Sequence, residues 1–201
     1  MTVAVDFSRY ANILPEEHQE PLSRNLRRIP DFSWLLGAPH PSAERLQGDL
    51  ILDVPTVFLD QTAVPRTHNF TVMVLNNTCD LPDDRLEVVT VVPVVDFAEF
   101  LTSQRNEGRS DASLHGYAEA IRRNDITELF YLPPFGSFLG GGLGLLQFAC
   151  SISQSVYLKA VNEGRRAASF SQIGFYFFLI KLTTHIARPE TPEVIRLSAS
   201  G

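Results

Sequence analysis

The sequence LEVVTVVPVV, which runs from Leu86 to Val95, decides the fold class. Seven of its ten residues are valine or threonine, and β-branched side chains favour strands over helices, so the stretch predicts a strand despite Pro93. Residues 48–54 (GDLILDV) and 70–75 (FTVMVL) predict two strands before it. Strands that follow one another through polar turns are typical of an antiparallel meander.

Helices are predicted on the C-terminal side of this meander. Apolar residues at helical spacing follow Asp96, which is placed to cap the first helix. A second helix is predicted from Ser110 or Asp111 to Arg122-Arg123, whose cations suit the negative end of a helix dipole. Together they predict a helical insertion over residues 96–125.

Two more short strands are predicted beyond the insertion. The first covers Glu128–Leu132 and the second Val156–Ala160, on either side of a glycine-rich segment. Gly140–Gly144 lies in that segment and is followed by Leu145-Leu146. A phosphate-binding loop needs lysine and a hydroxyl residue there, so we expect a flexible loop and no nucleotide.

The last predicted helix is apolar almost all round. Ser169, followed by a glutamine three residues on, predicts its start through a capping box, and Arg188-Pro189 predicts its end. A surface helix shows a single apolar stripe, so this one is expected to be buried on two sides. One side is the sheet, and the other is either the N-terminal arm or a second subunit. We expect a homodimer or a partner protein to contact Phe175, Phe178 and Leu182.

The sequence divides into three parts. Residues 1–47 are rich in proline and charged residues, which predicts an irregular arm with one short helix. Residues 48–190 predict a single α+β domain, and residues 191–201 a C-terminal tail. A chain of 201 residues is long enough for one domain with a proper core.

Composition and charge exclude several classes of protein. The longest apolar run, Ile173–Ile180, is far shorter than the roughly 18 residues of a membrane span, and we expect neither a membrane protein nor a signal peptide. A net charge of −6 argues against a broad nucleic-acid interface, which leaves RNA as a weak expectation. Two cysteines, Cys79 and Cys150, form no disulfide framework, so a cytoplasmic location is expected.

No pattern of metal ligands is evident in the sequence. The histidines at positions 18, 40, 68, 115 and 185 form no pair at helical spacing, and neither cysteine lies at ligand spacing. We therefore expect no metal and no cofactor.

The segment Asn76-Asn77-Thr78-Cys79-Asp80 follows the second strand. Asn and Asp stabilise turns through bonds to the backbone, and a cysteine acts as a small hydrophobe, so a structural turn is the first interpretation. Turns at the end of a sheet also bind ligands, which makes Asn76, Asn77, Cys79 and Asp80 candidate binding residues. A nucleophilic Cys79 would need a base, and His68 could approach it only if the loop of the second strand folds back.

Several segments together resemble the MazF/PemK family of plasmid maintenance toxins. They are GDLI from Gly48, VMVLNN from Val72, VTVVPV from Val89 and the hydrophobic helix near the C-terminus. In that family such strands build an SH3-like barrel on which a terminal helix packs. The resemblance thus implies a small, bent, antiparallel SH3-like β-barrel with a helical insertion. The turn at Asn76–Asp80 is similar to an S-x-x-C-D turn of uncharacterised bacterial proteins of this layout.

The resemblance also implies what the function is. Toxins of the family place Arg-Pro before the second strand and a Thr or Ser after the third, and both are associated with RNA cleavage. Phe70-Thr71 and Val95 stand at these places here. We therefore expect a non-catalytic binding or assembly module of a bacterial host-conflict system, of the toxin–antitoxin or phage-defence type, which acts through a partner protein.

An enzyme is the alternative. It would be a metal-independent endoribonuclease with displaced groups, in which Arg66 supplies the cation and Thr90, His68 or Asp80 transfers the proton.

Overall fold

The computed structural model describes residues 15–39, 44–59, 62–82 and 85–186, which form an α+β fold. The strands in these ranges are β1 (Leu36–Gly37), β2 (Leu50–Leu59), β3 (Pro65–Val74), β4 (Val88–Asp96), β5 (Leu129–Leu132), β6 (Gly142–Leu145), β7 (Cys150–Ser153) and β8 (Arg166–Phe170). The helices are α1 (Glu16–Leu26), α2 (Phe97–Asn106), α3 (Asp111–Arg122), α4 (Gln154–Asn162) and α5 (Gln172–Ile186). None of the described helices is long and apolar enough to cross a membrane.

The strands form one antiparallel sheet in the order β1-β8-β2-β3-β4-β6-β5, with β7 also paired to β4. The predicted meander of three strands is confirmed as β2-β3-β4. Closure into a barrel is not found among the described strands, because β1 at one end of the path and β5 at the other do not pair. The structure is an open sheet, which corrects the expectation of a closed one.

Pro93 lies in the central strand β4 without breaking it. On one side of β4, Val88–Val91 pairs with β7 and Val94–Asp96 pairs with β6. Pro93 falls between these two pairings, where no hydrogen bond from its missing N–H is needed. This explains how a proline fits the strand predicted from the valines.

The two faces of the sheet carry separate cores. In β3 the side chains of Val72 and Val74 point to one face and Met73 to the other, as the strand period requires. The arm and α5 cover the face of Met73. On the opposite face, α4 covers one end of the sheet, while α2 and α3 cover the other. Both faces are therefore filled from within the chain.

The insertion has the predicted form. Asp96 accepts hydrogen bonds from the N–H groups of Ala98 and Glu99, at 2.8 and 3.0 Å, and so caps α2. Ser110 caps α3, which ends at Arg122. Both helices are confirmed with their caps.

The prediction of a strand over Val156–Ala160 is wrong, because these residues lie in α4. Ser153 caps the helix, and Tyr157 and Ala160 are buried one turn apart against the sheet. The capping box at Ser169 is also wrong: Ser169 lies in β8, and the Ser171 hydroxyl caps α5 by accepting from Gly174 N–H at 2.9 Å. The predicted stop at Arg188-Pro189 lies outside the described residues.

A buried charge pair fixes β8 beside the start of β2. The Asp49 carboxylate, which is completely buried, lies 3.1 Å from Arg166 Nε and accepts a bond of 2.6 Å from the Ser169 hydroxyl. Buried charges are tolerated when they are paired and hydrogen-bonded in this way. Gly48 precedes Asp49 with a φ of +87°, and a Cβ there would overlap the Phe170 ring at 2.1 Å.

Candidate functional site

A β-bulge in β2 directs part of the β2–β3 hairpin away from the sheet. Ile51 pairs with Val72 and Val54 with Phe70, so β2 has one more residue than β3 between these pairs. Asp53, in the bulge, has a φ of +53°, which a non-glycine residue rarely adopts. Bulges bend a strand and increase its twist.

Hydrogen bonds to Asp53 hold the bulge. The side-chain amide of Asn69 donates to the Asp53 carboxylate at 2.8 Å, and the Arg165 guanidinium donates to the Asp53 carbonyl oxygen. Arg165 also lies 3.7 Å from the Asp53 carboxylate and 3.1 Å from that of Glu163. The strained residue is thus anchored to the end of α4 and the start of β8.

A cleft of about 310 Å³ lies at this bulge. Its lining consists of Asp53, Pro55, Asn69, Val156, Lys159, Glu163 and Arg165. Opposite charges are paired within the cleft: Arg165 pairs with Asp53 and Glu163, and Lys159 lies 3.9 Å from Glu163. No cluster of His, Cys, Asp or Glu able to hold a metal ion occurs in the described ranges. The charged groups that line the cleft are therefore engaged with one another, and Asn69 and Arg165 hold Asp53 in the bulge.

Beyond the bulge the hairpin continues as two strand segments, residues 54–58 and 65–70, which together with Val64 we call the ribbon. β8 pairs with β2 only at Leu50 and Ile51, and β4 pairs with β3 only over Thr71–Val74. Within the described part of the chain, no strand therefore pairs with the outer edges of the ribbon. All side chains over 62–69 are exposed.

Apolar side chains are exposed on the ribbon. Val57 is 57% exposed and Val64 44%. The rings of Phe58 and Phe70 meet edge to face with centroids 5.5 Å apart, and His68 lies 6.1 Å from Phe70. Thr56 is buried and donates its hydroxyl hydrogen to the His68 carbonyl oxygen at 3.1 Å. The ribbon is thus internally ordered and presents apolar groups at its surface.

The groups of the predicted ribonuclease lie at opposite ends of β3. Arg66 and His68 are exposed on the ribbon, whereas Thr90 and Asp80 lie near the other end, where the Leu75 N–H donates to the Thr90 carbonyl oxygen at 2.9 Å. Nine residues separate Arg66 from Leu75, which at about 3.3 Å per residue is roughly 30 Å. The structure does not bring the four groups together.

The candidate binding turn at Asn76–Asp80 is held by its own side chains. The Asn76 side-chain oxygen accepts from the Thr90 N–H, and that of Asn77 accepts from the Cys79 N–H at 2.9 Å. These bonds give Asn76 and Asn77 a structural role. Cys79 and Asp80 are exposed, and a ligand contact at them stays a prediction.

The predicted partner contact on α5 is corrected for Phe178, which is completely buried within the chain. Its ring stacks on Phe170 at 5.1 Å. Phe175 and Leu182 are half-buried and pack against the same core. The arm contacts α5 through Phe32 and Trp34, whose rings lie 5.5 and 5.7 Å from that of Phe177, and a partner at the half-buried Phe175 and Leu182 stays a prediction.

Asp53, Asn69, Arg165 and Val57, which shape the ribbon and its base, were not among the predicted site residues. The sequence offered two signals for these residues: Asp53 is a lone acid in an apolar strand, and Arg165 is one of two adjacent arginines. Neither pattern indicates a bulge, since bulges have no reliable sequence signature when glycine is absent.

Comparison of the chain with models of protein families, with curated proteins and with solved structures finds no match.

Proposed function

We propose that this chain is a non-catalytic binding module that presents the ribbon to a partner protein. One observation carries the proposal: the ribbon extends beyond the sheet with Val57 and Val64 exposed and with no described strand paired to its outer edges. A two-stranded ribbon is only marginally stable alone in water, and open strand edges are templates for pairing with another chain. A bound partner would stabilise the ribbon and cover its open edges.

The contacts at the base of the ribbon favour a binding surface that is already formed before the partner arrives. Asp53 is tied to Asn69 and Arg165, so the direction in which the ribbon leaves the sheet is set before binding. A surface ordered in advance loses less conformational entropy on association.

The positions of the candidate groups leave one of the proposed pairs available for RNA cleavage. Acid–base catalysis needs the transferring group within hydrogen-bond reach of the reacting atom. Asp80 and Thr90 lie at the other end of β3 from Arg66, too far away to act with it on one phosphate. His68 and Arg66 alone remain near each other on β3.

The host-conflict context and an SH3-like origin of the sheet belong to the same proposal. Their support is the resemblance of the segments at Gly48, Val72 and Val89 to MazF/PemK strands. The bend at the β2 bulge and the division of the β4 partner into β6 and β7 are features that a strongly curved sheet uses.

The proposal is tested by the mass of the chain in native extract. Wild type is expected in a complex larger than its own 22.4 kDa. A double variant, Val57→Lys with Val64→Lys, should run as a monomer, because charges on the ribbon oppose its burial. Ala112→Lys, at an exposed position of α3, is the matched control and should leave the complex intact. A wild-type monomer, or equal masses for all three, would contradict the proposal.

A second arm tests the enzyme. Micromolar protein is incubated with long mixed-sequence RNA in chelator, and no fragments are expected. Discrete fragments that disappear with Arg66→Ala would replace the binding module by a ribonuclease.

A further inference from the structure

The outer edge of β3 in the ribbon offers backbone groups in a defined pattern. Val74 faces β2, because its N–H donates to the Asp49 carbonyl at 3.0 Å and its carbonyl accepts from Gly48 at 2.8 Å. Leu75, the next residue, faces β4 through its bond to Thr90. Backbone groups of alternate residues point to opposite edges of a strand.

This alternation reaches the ribbon, because the extra residue at the bulge belongs to β2 and not to β3. The backbone groups of Pro65, Thr67 and Asn69 therefore point away from β2. β4 pairs with β3 only from Thr71 onward, so no strand pairs with these groups in the described ranges.

We propose that a second copy of this chain pairs with this edge, β3 to β3 and antiparallel, with the two Thr67 residues on the two-fold axis. The inference rests on the proposed function and names its partner. In this register each Thr67 donates to and accepts from the other, and each Asn69 N–H donates to the Pro65 carbonyl of the second copy. Pro65 has no N–H, so the reciprocal bond from residue 65 to the Asn69 carbonyl of the second copy is the only one that is lost at each end.

Side chains select this register. Val64 lies opposite Phe70 of the second copy, so an exposed valine covers a half-buried ring twice in the dimer. Arg66 lies opposite His68. A register centred on Arg66 would place two guanidinium groups directly opposite each other, which is destabilising. A register centred on His68 would require the backbone groups of Thr71, and these already pair with β4.

Charge also favours a second copy at this edge. The chain has a net charge of −6, so two copies repel one another over most of their surfaces. Residues 64–70 (VPRTHNF) contain no carboxylate. Self-association therefore meets less repulsion here than an average part of the chain would give.

The test is a disulfide across the proposed axis. In a Cys79→Ser, Cys150→Ser background, Thr67→Cys places two thiols in strands whose Cα atoms would be about 5.5 Å apart, within disulfide range. Val57→Cys is the matched control, because Val57 pairs directly with Thr67 across the ribbon and is exposed on the other strand. We expect mild oxidation to give at least ten times more crosslinked dimer with Thr67→Cys.

Equal yields, or a higher yield with Val57→Cys, would overturn the β3 edge. Thr67→Pro supplies an independent measurement, because it removes the central N–H donors and should weaken the wild-type dimer at least tenfold in sedimentation with unchanged circular dichroism. Purified wild type that sediments as a 22.4 kDa monomer at 100 μM overturns the inference. If native extract still shows a complex lost in the ribbon variant, the proposed function survives with a different partner.

Discussion

Helix α5 and the ribbon both differ from what their sequences indicate. α5 is apolar on nearly all sides, yet two of its rings, Phe177 and Phe178, are completely buried against the sheet and the arm. The ribbon lies almost wholly between the predicted strands 48–54 and 70–75, where no strand was predicted, and it presents Val57 and Val64 to solvent. Apolar composition thus indicates that a segment must be covered, and the fold determines what covers it.

The two regions also differ in how tightly they are packed. The Phe177 ring lies within 6 Å of the rings of Phe32, Trp34 and Phe130. Val57 has no comparable surroundings. Substitutions in the two regions should therefore separate stability from assembly.

The largest expected effect is on α5. Phe177→Ala should lower the free energy of unfolding by about 3–5 kcal/mol, because it leaves a cavity between the arm and the sheet. Val57→Ala should change it by less than about 0.5 kcal/mol. Urea denaturation at low protein concentration measures both, and similar losses would remove the distinction between the two regions.

A smaller loss is expected where α5 touches the arm. A Cβ at Gly174 would lie 2.0 Å from the Leu35 carbonyl oxygen, so Gly174→Ala should cost about 1–3 kcal/mol through overpacking. Gly116→Ala is the matched control in α3, where a Cβ meets nothing within 4 Å. The control should gain about 0.5–1 kcal/mol from helix propensity. A neutral Gly174→Ala would mean that the arm does not pack on α5 in solution.

The pH dependence of stability should report on the buried end of α5. Burial lowers the pKa of Lys181 from 10.5 to about 7, against the opposing effects of Asp125 and Glu128. Lys181 donates to the carbonyl oxygens of Asn124 and, at 2.6 Å, Ile126. Between pH 7 and 10.5 the unfolded chain binds more protons at this site than the folded chain, so its contribution to stability rises with pH.

The free energy of unfolding should rise by roughly 1 kcal/mol per pH unit between pH 7.5 and 9. Lys181→Met should flatten it, while Lys159→Met, at an exposed lysine of α4, should leave it unchanged. Urea titrations at several pH values measure the slope. A wild-type slope equal to that of Lys181→Met would contradict a neutral buried amine.

The smallest effect is expected at the turn after β3. Cys79 is exposed, so Cys79→Ser should change the free energy of unfolding by less than about 0.5 kcal/mol and leave assembly intact. Alkylation of Cys79 at neutral pH should proceed at the rate of an ordinary thiol. Rapid stoichiometric labelling would indicate an activated thiol and move attention from the ribbon to the turn.

The sequence predicted the elements whose signals are local. Asp96 and Ser110 cap the insertion helices as their positions indicated, and the valines of β4 form the central strand. Local propensity is wrong for α4, because Val156 and Tyr157 favour strands, whereas the cap at Ser153 and the stop at Asn162–Gly164 are the signals that indicate its helix.

The features that shape the ribbon depend on tertiary contacts. The bulge at Asp53 needs Asn69 from the neighbouring strand and Arg165 from more than a hundred residues further along the chain. β8 was missed because Arg166, Ala167 and Ala168 have little strand propensity, and it is held by pairing with β2 and by the buried Asp49–Arg166 contact. No local sequence pattern predicts such tertiary contacts.

Hydrogen exchange of the backbone amides, read by peptide mass spectrometry across a dilution series, tests the central claim most directly. Peptides covering residues 62–70 are expected to exchange more slowly when the protein is concentrated enough to assemble. Peptides covering α5 should be equally protected at every concentration, because the arm and the sheet already cover them. Protection that depends on concentration in α5 and not in the ribbon would contradict the account.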